Sequence, residues 1–493
     1  MPGERRLPHA ILNPVSEPMY SSIAQLVLDS IRSALSRPGM LIDNELRGLT
    51  ATIASIGDAA LTLAGDSFST FYVSWPIVRR SKVNNVVIEA LRKTLHYLVQ
   101  TPEFQRIQAT TRYSVAKSLV YGARLAINVL RAIMKNPQAY QLAAPEALAV
   151  PSDYLQRLQQ RLSDVADRVA RKAAKEALGD LKDKRLQQLA MELEELSQLL
   201  QQSQQRCGCR GGGYATAAIT GQQQTTSDAA AVMPGGTMAG KAPGTLQTIA
   251  KIAVMAVANS DLQQIIVLGG QIEARFRFMR SQRRESRRGT VDGYSITANP
   301  AKALPREHAL PTELWLAKLA NGRWLTKRRV EEKLGMLIMA LDKSGSMAGV
   351  KTIWSRSIAY ALTKLALKRR QPVALIFFDF VPHGPFTDPQ QILEALLTVP
   401  SDGGTNIDRA LAAALELLRQ HRDKTNTIVL ITDGEDRVDT KPAELKKHGA
   451  RLVAVMVKGK NPDLERLAKA SGGQYLAAQL DERGALRVVD AAL

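Results

Sequence analysis

The sequence predicts a doubly wound, Rossmann-like α/β domain at the carboxy-terminal end, preceded by a mainly α-helical region. From Leu334 four aliphatic runs, GMLIMALD, VALIFFDF, NTIVLITD and RLVAVMVK, alternate with amphipathic segments such as IWSRSIAYALTKLALKRR and IDRALAAALELLRQH. The runs lack polar alternation, as parallel strands buried on both faces do. Upstream, SSIAQLVLDSIRSAL, NVVIEALRKTLHYLVQ and SVAKSLVYGARLAINVLRAIMK place apolar residues three and four apart, as helices with one buried face require. Pro76, Pro102 and Pro137 punctuate them.

With 493 residues the chain is expected to hold several hydrophobic cores. The expected order is a helical domain over 1–150, a helical hairpin or coiled-coil-like segment over 151–206, a flexible linker over 207–245, a helical and basic connector over 246–332, and the α/β domain over 333–493. In the second segment Leu155, Leu158, Leu162, Val165 and Val169 step by three and four, as do Leu186, Leu189, Leu193, Leu196 and Leu200. The two runs are out of phase, and the break at Gly179 and Asp180 predicts either a hairpin or one kinked helix.

The linker is rich in Gly, Gln, Thr and Ala and has little large apolar content. It holds the only two cysteines, Cys207 and Cys209. Bonding residues two apart would strain the backbone, and two thiolates fill half of a structural zinc site, so free thiols are expected. Within it, GGTMAGKAP sets Gly235, Gly240 and Lys241 at P-loop spacing. Ala242 stands where the magnesium-binding hydroxyl belongs, Pro243 and Gly244 oppose helix propagation, and no apolar strand precedes, so nucleotide binding is not expected there.

The formal charge is +20. From Lys333 onward 23 Lys and Arg face 18 Asp and Glu, a net of +5 that leaves +15 for the first 332 residues. Seven arginines, Arg275, Arg277, Arg280, Arg283, Arg284, Arg287 and Arg288, lie in ARFRFMRSQRRESRRG. Such a segment either faces acids of its own protein or contacts a partner protein or nucleic acid. Phe276 and Phe278 are too few to argue base stacking. The longest apolar runs, near residues 51–65 and 246–258, are broken by Asp58 and Lys251 and fall short of the ~20 residues of a spanning helix. MPGERRLPHA does not open like a secretory signal, and a cytoplasmic location is expected.

The carboxyl ends of the predicted strands are where ligands bind in such folds. Three loops there carry oxygen donors: Asp342, Ser344 and Ser346 after the first strand, Thr405 in SDGGTNID, and Asp433 in ITDGED. Two carboxylates and three hydroxyls, with neither Cys nor His, make a hard set that suits Mg²⁺, and Mn²⁺ accepts the same shell. A serine-hydrolase elbow is excluded because Ser344-Gly345-Ser346-Met347-Ala348-Gly349 is out of register with G-x-S-x-G. Neither His383 nor His421 is placed as a base, and no catalysis is expected.

The motifs D-K-S-G-S-M, G-G-T-N and T-D-G-E-D resemble the metal-ion-dependent adhesion site (MIDAS) of von Willebrand factor A domains, over about Lys333 to Leu493. The resemblance implies that Ser344, Ser346 and Thr405 bind the metal, that Asp342 and Asp433 act largely through water, and that a partner's Asp or Glu completes the shell. The approach ALPTELWLAKLANGRWLTKRRVEEKLGMLIMALDKSGSM is similar to the CoxE and ViaA group, with a helical region before a terminal A domain. That likeness implies work with a MoxR-type AAA+ ATPase, or that ATPase's client, in complex remodelling or metal-cofactor insertion. The functional expectation is thus a non-enzymatic, metal-dependent adaptor between proteins. A basic nucleic-acid-associated protein using the 275–288 segment is the alternative, and a metal-dependent hydrolase using the same oxygens is the third reading.

Overall fold

The structure is a computed structural model that describes residues 11–12, 24–29, 52–53, 56–74, 76–78, 85–143, 152–207, 243–282, 290–297, 300, 303–330, 335–419, 426–434 and 436–493. Most of the predicted linker, most of the first predicted helix, Cys209 and His421 fall outside these residues.

The amino-terminal region is helical. Its principal helices are α1 (Ala59–Tyr72), α2 (Val86–Val99), α3 (Val115–Met134), α4 (Ser152–Lys182), α5 (Lys184–Cys207), α6 (Pro243–Ala258) and α7 (Ser260–Gln282). Sequence sets their starts: Asn85 Oδ1 accepts the Val87 N–H of α2 at 2.9 Å, and Ser114 Oγ accepts the Lys117 N–H of α3 at 3.3 Å. Helix α3 is the centre, packing on α1, α4, α5 and α6. At Gly122 a Cβ would stand 2.7 Å from the Phe68 Cα, so only glycine lets α3 approach α1 this closely. The helices α4 and α5 part at Asp183, a few residues beyond the Gly179–Asp180 phase break. Helix α6 is apolar almost all round because it is buried almost all round. No single helix among the described residues is long and apolar enough to cross a membrane; Thr245–Ala258 and Ser260–Met279 pass only as a pair bent by 115°.

The connector holds an antiparallel pair that the helical reading of 246–332 missed: β1 (Thr290–Thr297) and β2 (Trp324–Val330), flanking the exposed helix α8 (Thr312–Asn321). TVDGYSIT and WLTKRRV carry too many polar residues to read as core strands, and among the described residues they pair as a two-stranded sheet.

The carboxy-terminal domain is the expected doubly wound α/β fold. In chain order it comprises β3 (Leu337–Asp342), α9 (Val350–Arg369), β4 (Val373–Phe378), β5 (Pro382–Phe386), α10 (Pro389–Thr398), α11 (Ile407–Arg419), β6 (Asn426–Thr432), β7 (Ala450–Met456), α12 (Pro462–Ala470), β8 (Gln474–Ala477) and α13 (Glu482–Ala492). The sheet order is β8-β7-β6-β3-β4-β5, parallel except for β5. The chain leaves β3 for β4 on one side and later returns to β6 on the other, so the topological switch lies between β3 and β6.

Residue alternation along the strands divides the core. Ile338, Ala340, Ala374, Ile376 and Leu430 pack with α11 and α12 on one face. Leu337, Met339, Leu341, Leu375 and Val429 face the other way, into a cluster that runs through α9 and α7 to α3 and α2. The several separate cores expected from length are thus corrected: one sheet face shares its core with the helical region.

The join is made by α7 lying on α9. A Cβ on Gly269 would meet Tyr360 Cδ1 at 2.6 Å and the Ser357 carbonyl oxygen at 2.8 Å, and one on Gly270 would collide with the Glu192 carboxylate. In this close contact Lys364, fully buried, donates to Glu192 at 2.6 Å and Glu195 at 2.7 Å and lies 3.5 Å from Glu273. Lys368 and Arg277 complete the group, Lys368 reaching Glu195 at 2.6 Å and Glu273 at 2.9 Å, and Arg277 reaching Glu273 at 2.5 Å. Three acids thus meet three bases. Burial pushes the Glu195 carboxyl up, but hydrogen bonds from Lys364 and Lys368 outweigh it and hold it at about 2. Removing one member leaves buried charge uncompensated, which costs roughly 3–5 kcal/mol. Lys364→Ala is therefore expected to lower unfolding stability by about that much, measured by urea denaturation of the full-length chain; a loss under ~1 kcal/mol would contradict this packing.

Candidate metal-binding site

Strand β3 ends at Asp342, and the chain turns at once through a 3₁₀ turn, Gly345–Met347, into α9. Buried Met347 pins the turn from below, and Gly349, at φ +79°, makes the bend that α9 needs to start. Asp342 is buried, with Oδ1 accepting the Ser344 N–H at 2.8 Å and Oδ2 accepting the Thr432 hydroxyl at 2.5 Å. Its carboxyl is pushed above the ordinary range by burial, with the charge of Asp433 adding to this and the bonds from Thr432 and Ser344 working against it. A buried carboxylate in this state is stabilised by a cation.

The second loop is drawn over the first. The Gly345 N–H donates to the Gly403 carbonyl at 3.1 Å, and Gly403, at φ +87°, leaves no room for a Cβ beside Asp379. Buried Arg356 of α9 donates to the carbonyls of Leu396 at 3.0 Å and Val399 at 2.5 Å, fixing the chain that leads into this loop. Burial pulls its guanidinium down to about 10. Thr405 then lies against Gly434, where a Cβ would come 2.8 Å from Thr405 Cγ2, so the third loop closes on the second.

The hydroxyls and carboxylates connect. Ser344 Oγ and Ser346 Oγ are 3.1 Å apart, and Ser346 Oγ donates to Asp433 Oδ1 at 2.7 Å. Two lysines border the group. Lys351 donates to Asp433 and, at 3.0 Å, to the Ser346 carbonyl. Lys343 pairs with Asp379 at 2.6 Å and Asp402 at 2.5 Å. Burial raises the Asp379 carboxyl, but hydrogen bonds, that from Lys343 foremost, hold it at about 2. His383 Nε2 lies 3.1 Å from Asp379 and is spent on that contact.

Asp342, Ser344, Ser346 and Asp433 thus share one hydrogen-bonded group, and Thr405 packs against Gly434, next to Asp433. Sequence reasoning missed Thr432, Lys343, Lys351, Asp379 and Arg356. Thr432 alone left a signal, since it precedes Asp433 at the end of a predicted strand. Of the seven arginines, Arg275 pairs with Glu482 at 2.5 Å and Arg277 with Glu273 and Glu195. Arg280 lies in α7 without a described side chain, and Arg283, Arg284, Arg287 and Arg288 lie outside the described residues.

Residues 337–435 match the family model of the von Willebrand factor type A domain, and the carboxy-terminal domain has that fold. The chain is 30% identical over 142 residues to an uncharacterized protein of Methanocaldococcus jannaschii, covering 27% of this chain and 32% of that protein. It is 28% identical over 173 residues to the magnesium-chelatase 60 kDa subunit of Rhodobacter capsulatus, covering 31% of each. A solved von Willebrand factor type A structure from Catenulispora acidiphila aligns at 17% identity over 34% of this chain and 44% of its own, with a TM-score of 0.26. The chain spans between 19% and 32% of the length of the curated relatives it matches.

The donor set fits a hard divalent ion: hydroxyls and carboxylates converge, and among the described residues no three His, Cys, Asp or Glu side chains gather as an alternative cluster. The Lys351 ammonium meets the same Asp433 carboxylate that such an ion would use. Two like charges a few ångströms apart repel by several kcal/mol at effective dielectric constants near 20, and solvent screening reduces this. Lys351→Met is expected to tighten Mn²⁺ binding by about tenfold or more in calorimetric titration, and an unchanged or weaker affinity would contradict competition.

Proposed function

We propose that this chain is a non-enzymatic adaptor that grips an acidic residue of a partner protein through Mg²⁺, or Mn²⁺, held by its A domain. The observation that carries the reading is the joining of Asp342, Ser344, Ser346 and Asp433 at the carboxyl edge of the sheet, with Thr405 packed against Gly434 beside Asp433. In this reading Ser344, Ser346 and Thr405 offer direct oxygens, while Asp342 and Asp433 hold waters and supply charge. The ion, when bound, supplies an open position for a carboxylate and a field much stronger than in bulk water. Asp342 is oriented by Thr432 and Ser344.

The partner we favour is a MoxR-type AAA+ ATPase or its client, in complex remodelling or metal-cofactor insertion. The upstream likeness to the CoxE and ViaA group supports this, and the named chelatase subunit among the relatives is in keeping with it. The rival nucleic-acid reading loses weight at Arg275 and Arg277, which are paired within the chain. It retains the +15 charge of the first 332 residues.

Affinity capture from nuclease-treated lysate of the native host tests the proposal, with wild type and Asp342→Ala each in Mg²⁺ and in EDTA. A protein retained only by wild type with metal is expected. Equal recovery in all four arms would contradict a metal-gated grip.

A further inference from the structure

Between two of the candidate metal ligands the chain buries a lysine. Lys343 stands between Asp342 and Ser344 in the first loop, yet the residue is only 5% exposed. A lysine near the surface ordinarily keeps its ammonium in water, and burying that charge costs free energy unless partners surround it. Here the three N–H donors of the ammonium have three acceptors: Asp379 Oδ2 at 2.6 Å, Asp402 Oδ1 at 2.5 Å and the Asp402 carbonyl at 3.4 Å. The Lys343 main-chain N–H also donates to the Phe378 carbonyl at 2.9 Å, at the end of β4.

One ammonium therefore joins three pieces of chain: the first loop, the turn after β4 that holds Asp379, and the second loop that holds Asp402. The turn and the second loop are shaped to meet. A Cβ on Gly403 would come 2.9 Å from Asp379 Cβ, and one on Gly404 would come 2.2 Å from Phe380 Cζ. The Gly345 N–H bond to the Gly403 carbonyl ties the first and second loops again. Thr405 follows Gly404 directly, so its place against Gly434 depends on how this loop is held. The Asp402 side chain is 66% exposed, so a carboxylate that water could serve is spent instead on holding the loop.

We infer that Lys343 is a positioning residue for the metal site: its ammonium clasps the second loop to the first and so sets the Thr405 hydroxyl in place for the ion. This rests on the metal-binding reading above and assigns a role outside the five-oxygen set. The sign of its effect separates it from Lys351. A positive charge near a divalent ion opposes binding, so if Lys343 acted by its charge alone, removing it would tighten the ion. A clasp does the opposite. Its removal loosens Thr405 and weakens binding by about tenfold or more, the scale on which groups that orient metal ligands act.

The test is Mn²⁺ titration of the full-length chain, followed by electron paramagnetic resonance. Wild type, Lys343→Met and Asp402→Asn are compared, each also combined with Thr405→Ala, and urea unfolding checks that each protein is folded. Lys343→Met and Asp402→Asn are each expected to bind Mn²⁺ about tenfold or more weakly than wild type. In the Thr405→Ala background neither is expected to cost anything further, because a residue that acts through Thr405 has nothing left to position. Asp402→Asn keeps the ammonium on Asp379 and alters a largely exposed side chain, so it carries the test alone where Lys343→Met does not fold. Equal or tighter binding by a folded variant, or a loss that recurs in full once Thr405 is gone, overturns the clasp but leaves the metal-binding reading standing. No Mn²⁺ binding by wild type overturns both.

Discussion

One lysine determines how the two halves of this molecule meet. Lys364 lies fully buried on α9, and three glutamates from α5 and α7 surround it. Burying such a charge is tolerable only with close, well-bonded partners, and the glycines at 269 and 270 allow the helices to come near enough to supply them. The same helix begins at the candidate metal site and carries Arg356, which fixes the chain before the Thr405 loop. Site and interface are therefore two ends of one rigid element, and the A domain is not a bead on a string. Any motion of α9 must either keep the six-charge group intact or break it.

The site is built on the same economy of charge. Its carboxylates are buried or half-buried, and each already has a partner: hydroxyls and an amide for Asp342, Lys351 and Ser346 for Asp433, Lys343 for Asp379. On the proposed reading, an arriving divalent ion would meet oriented oxygens, with the cost of ordering them already met by the fold. On the same reading Lys351, paired with Asp433, is the group that would have to yield, which would link metal affinity to a residue outside the five-oxygen set.

Much of this was legible in the sequence. Strands β3, β4, β6 and β7 are buried on both faces, so their aliphatic runs stand out, and the D-x-S-x-S turn follows one of them directly. The edge strands β5 and β8 were missed because PHGPF and QYLA carry no such run. The β1–β2 pair was hidden by its polar composition. Lys364 gave no signal, since a lysine in an amphipathic helix reads as solvent-facing until its neighbours from α5 and α7 are in place. The arginine cluster left two readings open in the sequence, its own acids or a partner; Arg275 and Arg277 pair within the chain while their side chains stay 64% and 52% exposed.

Binding of Mn²⁺ to the full-length chain, followed by its electron paramagnetic resonance signal, tests the central claim most directly. One equivalent bound by wild type, and none at the same concentrations by a Ser344→Ala, Ser346→Ala double variant that stays folded, is the predicted result. Equal binding by the two proteins, or none by wild type, would contradict it.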